Sequence, residues 1–206
     1  YLGQRGRGTT QDTLDLPLND RLWLQPQFDS IRQLGSEQER VTAINAILNR
    51  TDPGLGGFYD DLGDSSNQPH LVRGVGFEND PDYRNSIWMG CDGYRLDWPR
   101  AWITYAMSMY DAPLIMHYQG LNPRASYRLR VTYAQDRQSQ IRLEAEGQEI
   151  HPLIVKPDVT QPQEFDIPTG LTADGELTLR WYREAGRGGN GRGCQVREVW
   201  LMQNKE

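Results

Sequence analysis

The sequence predicts a mainly β protein: an antiparallel β-sandwich of jelly-roll type, carrying an N-terminal helix and a long irregular loop elaboration. Three observations predict it. Short runs of alternating apolar and polar residues follow one another from Trp102 to Met202, and turn-forming pairs separate them. The chain of 206 residues is only 37% hydrophobic, yet its six Trp and ten Tyr supply large surfaces for a core. Its 21 Gly and 12 Pro stand mostly between the periodic runs, as a loop-rich β protein needs.

Taken in order, residues 1–20 form an extension or linker. Residues 21–98 are expected to hold a helix and an irregular segment packed on the sandwich, and residues 99–206 the sandwich itself. The clearest helix starts at Ser36. Ser36 and Glu39 have the spacing of a capping box, in which each side chain satisfies a backbone N–H of the other residue. Val41, Ile44, Ile47 and Leu48 then recur at helical spacing, and Pro53 ends the pattern because it lacks a donor and disfavours helical geometry before it. From Gly54 to Asp97 no period persists. A stretch of that length in a compact domain is expected to be functional or wrapped over another surface.

Eight strands are expected after it: Trp102 to Met109, Leu114 to Tyr118, Tyr127 to Tyr133, Ile141 to Ala145, Glu149 to Val155, Glu164 to Ile167, Leu177 to Trp181 and Gln195 to Met202. Tyr127, Leu129, Val131 and Tyr133 share one face and leave Arg128, Arg130 and Thr132 on the other. Leu177, Leu179 and Trp181 alternate with Thr178 and Arg180 in the same way. One dry face and one wet face per strand is the pattern of two antiparallel sheets packed face to face. Trp102, Trp181 and Trp200 are expected in the core.

The C-terminal half resembles the galactose-binding-like, carbohydrate-binding-module-type jelly rolls attached to large secreted bacterial glycan-active proteins. The residues that carry the resemblance are Leu121-Asn122-Pro123 leading into Tyr127-Arg128-Leu129-Arg130-Val131, then Phe165-Asp166-Ile167-Pro168. Asp174-Gly175-Glu176-Leu177-Thr178-Leu179 and the closing Val196-Arg197-Glu198-Val199-Trp200-Leu201 continue it. The stretch Gly56 to Gly63, with Gln68 to Val72, also looks like C-terminal regions of such proteins. The resemblance implies a bacterial accessory module, extracellular or periplasmic, with polysaccharide or another glycan as its partner. Further domains of a longer chain, or copies of the same chain, are the other partners expected.

Composition excludes some classes. A net charge of −6, with Arg scattered among carboxylates, argues against nucleic acid. No apolar run approaches the roughly 18–20 residues that span a bilayer. Cys91 and Cys194 have no C-x-x-C partner for zinc and leave a disulfide open. No nucleophile elbow or phosphate-binding loop occurs, so nucleophilic catalysis has no visible handle.

The densest polar cluster is Asp60, Asp61 and Asp64, beside Tyr59, Asn67 and His70. Two readings stay open for it: a structural calcium site, since Ca²⁺ gathers six to eight oxygens, or turns capped by Asp side chains. A hydrolase or lyase would look to Asp60, Asp61, His70 and Arg73, although adjacent carboxylates in an extended chain point apart. For a glycan, aromatic rings stack on sugar C–H faces while polar groups bond the hydroxyls. Trp88, Tyr94 and Trp98 are the aromatic candidates, with Arg73, Asp92 and Arg192 as polar contacts. The expected function is therefore non-catalytic carbohydrate binding. A self-assembling extracellular protein using its N-terminal extension is the first alternative, and the glycan-active hydrolase or lyase the second.

Overall fold

The computed structural model describes residues 21–64, 66–72, 87–93, 102–134, 140–159, 161–186 and 192–204. Two helices, α1 (Arg21–Arg32) and α2 (Glu37–Leu48), precede eleven strands. These are β1 (Phe58–Asp61), β2 (Leu71–Val72), β3 (Trp88–Gly93), β4 (Trp102–Met109), β5 (Leu114–Gln119) and β6 (Tyr127–Tyr133). They continue with β7 (Gln140–Ala145), β8 (Gln148–Val155), β9 (Gln163–Ile167), β10 (Glu176–Arg183) and β11 (Arg192–Gln203).

One sheet runs β3-β4-β11-β6-β9, with β1 added beside the second half of β11; the other runs β2-β5-β10-β7-β8. Every strand pair is antiparallel. From β4 onward the chain passes from one sheet to the other at nearly every step, which is the jelly-roll sandwich expected from the alternation. The irregular reading of residues 54–97 needs correcting, because β1, β2 and β3 come from that stretch and complete one flank of both sheets. The sandwich therefore begins before residue 99.

The core is filled by the dry faces of the alternating strands. Leu129 and Val131 of β6, Leu143 of β7, Leu177, Leu179 and Trp181 of β10, and Val199 and Leu201 of β11 are all fully buried in one cluster. Trp181 is core, as expected. Trp200 is buried in a different place. It alternates with Val199 and Leu201, so its ring lies on the outer face of its sheet, against Tyr59 with centroids 5.1 Å apart. Its Nε1 donates to Arg50 O at 3.0 Å. The Trp102 side chain lies outside the described residues.

The capping box at Ser36 is present in both directions. The apolar stripe of α2, however, does not pack on the sandwich: no residue of α2 is buried, and Val41, Ile44 and Leu48 are exposed. α1 and α2 pack on each other as a hairpin, and the C-terminal root of that hairpin is tied to β11 through Arg50. α1 itself went unread because Pro26 lies inside it.

A buried polar chain runs through the core. Trp181 Nε1 donates to the Tyr133 hydroxyl (3.1 Å), and that hydroxyl donates to His151 Nε2 (2.7 Å). His151 Nδ1 then donates to Pro152 O at 2.8 Å. This pattern needs a neutral imidazole, and burial lowers the His151 pKa below its ordinary value. The unfolded chain therefore takes up a proton before the folded one does as pH falls. The stability this histidine contributes is full above the ordinary imidazole pKa and is lost on acidification below it, by at most about 1.4 kcal/mol per pH unit. Urea midpoints at successive pH values should show that slope in the native chain and lose it in His151→Gln. An unchanged slope in the variant would assign the effect to other groups.

Candidate functional site

The site grows from the register of β1 on β11. Asp60 lies opposite Val199, which faces the core, and Asp61 lies opposite Glu198 on the other side. Consecutive strand residues point to opposite faces, so the two carboxylates diverge. Asp60 enters the gap between the sheets and is wholly buried. Its Oδ1 accepts the His70 backbone N–H at 3.1 Å, and its two oxygens lie 3.1 and 2.9 Å from His70 Nδ1. The Tyr118 hydroxyl donates to Oδ2 at 3.2 Å. Tyr118 is on β5 and His70 directly precedes β2, so one carboxylate from the first sheet binds two residues of the second.

The His70 ring is held on all sides. It stacks on Tyr118 with centroids 4.5 Å apart, and Phe58 meets it edge-on at 5.0 Å. A carboxylate accepts at Nδ1, so that nitrogen carries a proton. The His70 side chain remains 20% exposed. Burial, and then the neighbouring Asp60 charge, raise the Tyr118 pKa well above the usual phenol value, so its hydroxyl stays a donor.

The other two carboxylates of the expected calcium cluster serve local turns. Asp61 Oδ1 accepts Gly63 N–H at 3.0 Å, and Asp64 Oδ1 accepts both the backbone N–H and the hydroxyl of Ser66, at 2.9 and 2.6 Å. Gly63 is needed in this turn because a Cβ there would lie 2.4 Å from Thr104 O. Asp60 and Asp61 thus face opposite sides of β1, each with its own hydrogen-bond partners. Among the described residues no three His, Cys, Asp or Glu side chains are grouped to hold a metal.

β2 and β3 form the same flank of the sandwich, each the edge strand of its sheet. Gln68 joins them. Its Nε2 donates to Leu62 O at 3.1 Å and lies 3.7 Å from the Met89 sulfur. On this flank Trp88 (41%), Met89 (39%) and Val72 (42%) are exposed. Trp88, expected as a stacking ring, is therefore at the surface on a regular strand. Asp92 stands four residues further along β3, about 13 Å by strand rise. Arg192 opens β11 opposite Met109. The Asp92 and Arg192 side chains, and Arg73, Tyr94 and Trp98 entirely, lie outside the described residues. Elsewhere, Tyr110 is exposed with φ 54°, and Tyr182 carries the Arg142 guanidinium 4.9 Å from its ring centre. Sequence reasoning placed Asp60 and His70 together but missed Tyr118, which no local signal connects to them.

No protein-family model matches the chain, and no curated protein matches it in sequence. Its fold is similar to those of several solved structures. Protein YXIM of Bacillus subtilis is 14% identical over 72% of this chain and 40% of its own, with a TM-score of 0.42, so the match spans well under half of that protein. A family 35 carbohydrate binding module from Clostridium thermocellum is 13% identical over 72% of this chain and 98% of its own (TM-score 0.38). The CBM36-1 domain of a multidomain xylanase from the hindgut metagenome of Trinervitermes trinervoides is 10% identical over 73% and 99%, with a TM-score of 0.36. At these identities the likeness concerns the fold alone. Among the described residues no helix is long and apolar enough to cross a membrane.

Proposed function

We propose that this chain is a non-catalytic carbohydrate-binding module of an exported protein, working outside the cytoplasm, and that it takes polysaccharide on the β2–β3 flank. The observation that carries the reading is Trp88. An indole 41% exposed on an edge strand offers a rigid apolar face on which a sugar ring can stack. Catalysis by paired carboxylates does not fit, because Asp61 turns away from Asp60 and His70.

The test is a glycan array probed with the native chain and with Trp88→Ala, each with and without calcium. Reproducible binding that weakens about tenfold or more in the variant is expected, the loss of one stacked aromatic. An array silent in both conditions, or hits indifferent to Trp88, would overturn the reading; hits that need calcium would revive a metal role.

A second reading has its own observation. Phe28, Val41, Ile44 and Leu48 of the helical hairpin are all exposed apolar side chains. A structural role through this hairpin, toward another domain or another copy, predicts a particle size that grows with concentration and a silent array.

A further inference from the structure

We infer that Tyr110 is a second sugar-stacking residue, placed so that it and Trp88 hold one polysaccharide chain across several sugar units. The inference rests on the carbohydrate-binding reading and adds to it the form of the ligand: a run of sugars within a chain, longer than a single terminal sugar.

Two features of the β4–β5 corner carry it. The first is backbone conformation. Met109, Tyr110, Asp111 and Ala112 make a turn closed by the Ala112 N–H, which donates to Met109 O at 3.2 Å, and Tyr110, its second residue, has φ 54°. A positive φ at that place is ordinarily given to glycine, because a side chain there crowds the backbone, a bulky one most of all. Tyrosine is a strained occupant, and the turn would close more easily without the ring. The turn is nonetheless held from both sides. Asp111 accepts Arg183 Nε at 3.0 Å and the Gly186 N–H at 3.2 Å. Gly193 passes so close behind that a Cβ there would stand 3.1 Å from Tyr110 O. Within this frame Tyr110 stays at the surface, 43% exposed against 41% for Trp88. Backbone strain kept in a fixed frame for a side chain at the surface points to a role in binding.

The second feature is register. Phe28, Trp88 and Tyr110 are the exposed aromatic residues among the described ones, and Phe28 belongs to α1. The other two share one end of one sheet. Trp88 opens β3 opposite Met107, and Tyr110 follows Met109, the last residue of β4. One strand spacing and three residues of rise put their backbones roughly 11 Å apart. That is farther than one sugar ring reaches and within the length of a short oligosaccharide. Arg192, expected as a polar contact, begins β11 opposite Met109 at the same end. Two exposed rings at such a separation suit a chain whose sugars stack by their C–H faces and leave hydroxyls for polar neighbours.

The experiment takes the polysaccharide of the strongest array hit, cuts it into oligosaccharides of increasing length, and titrates them into the native chain and Tyr110→Gly. In the native chain affinity should rise with length until both rings are covered. Tyr110→Gly should lose that rise and bind the longest oligosaccharides about tenfold more weakly, the loss of one stacked aromatic. Its urea midpoint should equal or exceed the native one, because glycine relieves the turn. A midpoint that falls would make the ring a packing element and overturn the inference, as would a length dependence that survives the substitution. A second measurement needs no variant. The ring proton resonances of Tyr110 should move when a long oligosaccharide saturates the native chain and stay still with the single sugar. Hits that depend on Trp88 and leave those resonances unmoved would overturn this inference alone. Silence of the whole array, or hits indifferent to Trp88, would overturn it together with the reading beneath it.

Discussion

Asp60→Ala should destabilise the fold by about 3 kcal/mol or more, because three donors lose their shared acceptor and each one left unmet in a buried place costs about 1–3 kcal/mol. The carboxylate has zero exposure and accepts from the His70 backbone, the His70 ring and the Tyr118 hydroxyl. Alanine leaves three donors at the inner edge of the sandwich with their acceptor gone, and each unmet buried donor is costly. The effect is large for a second reason. β1 belongs to one sheet while His70 and β5 belong to the other, so Asp60 is a polar tie between layers otherwise joined by apolar contacts. Asp60→Asn keeps an oxygen for Nδ1–H and should cost far less. Urea unfolding of the three chains decides it: an alanine variant within about 1 kcal/mol of native would show that the tie is incidental to stability.

How much of this was legible in the sequence follows from range of interaction. β4 to β11 were readable because each strand has one face in a continuous core, so alternation alone marks it. β1 was not, because Phe58-Tyr59-Asp60-Asp61 places a carboxylate where alternation leads one to expect an apolar residue, and its pairing partner is about 140 residues away. β2 has two residues and carries no period at all. α2 was announced by its capping box, a local device, but the same local logic wrongly sent its stripe to the sandwich; nothing within the helix says which surface is available to cover it. Trp200 shows the reverse limit. Its neighbours Val199 and Leu201 define the inner face, so parity alone places it outside, yet it is buried because the chain near Arg50 passes over it. At the site, the closeness of Asp60 and His70 could be read from ten residues of spacing. The ring that stacks on His70 could not, since Tyr118 arrives from the other sheet.

Glu198→Ala is expected to free the helical hairpin from the sandwich before the sandwich itself unfolds. Glu198 is the anchor of that junction. Its Oε1 accepts from Arg50 Nη1 at 2.9 Å and from the Tyr59 hydroxyl at 2.8 Å, and its Oε2 lies 3.8 Å from Arg197 Nε. The Glu198 and Arg197 side chains are 3% and 1% exposed and Arg50 is 14% exposed, so these charges meet in a nearly dry place. Burial, then the Glu198 charge, push the Tyr59 pKa far upward, which keeps its hydroxyl protonated and donating. Removing the carboxylate leaves two guanidinium groups beside each other without it, a loss of about 3–5 kcal/mol at this contact. Among the described residues none of α2 is buried, and the root of the hairpin is also tied by the Trp200 bond to Arg50 O. The loss should therefore appear locally. Amide exchange over residues 37–50 should accelerate strongly in the variant, while β6, β10 and β11 keep most of their protection. Uniform acceleration across both regions would mean that hairpin and sandwich open as one cooperative unit, and that the exposed face of α1 and α2 is built on a base as firm as the core.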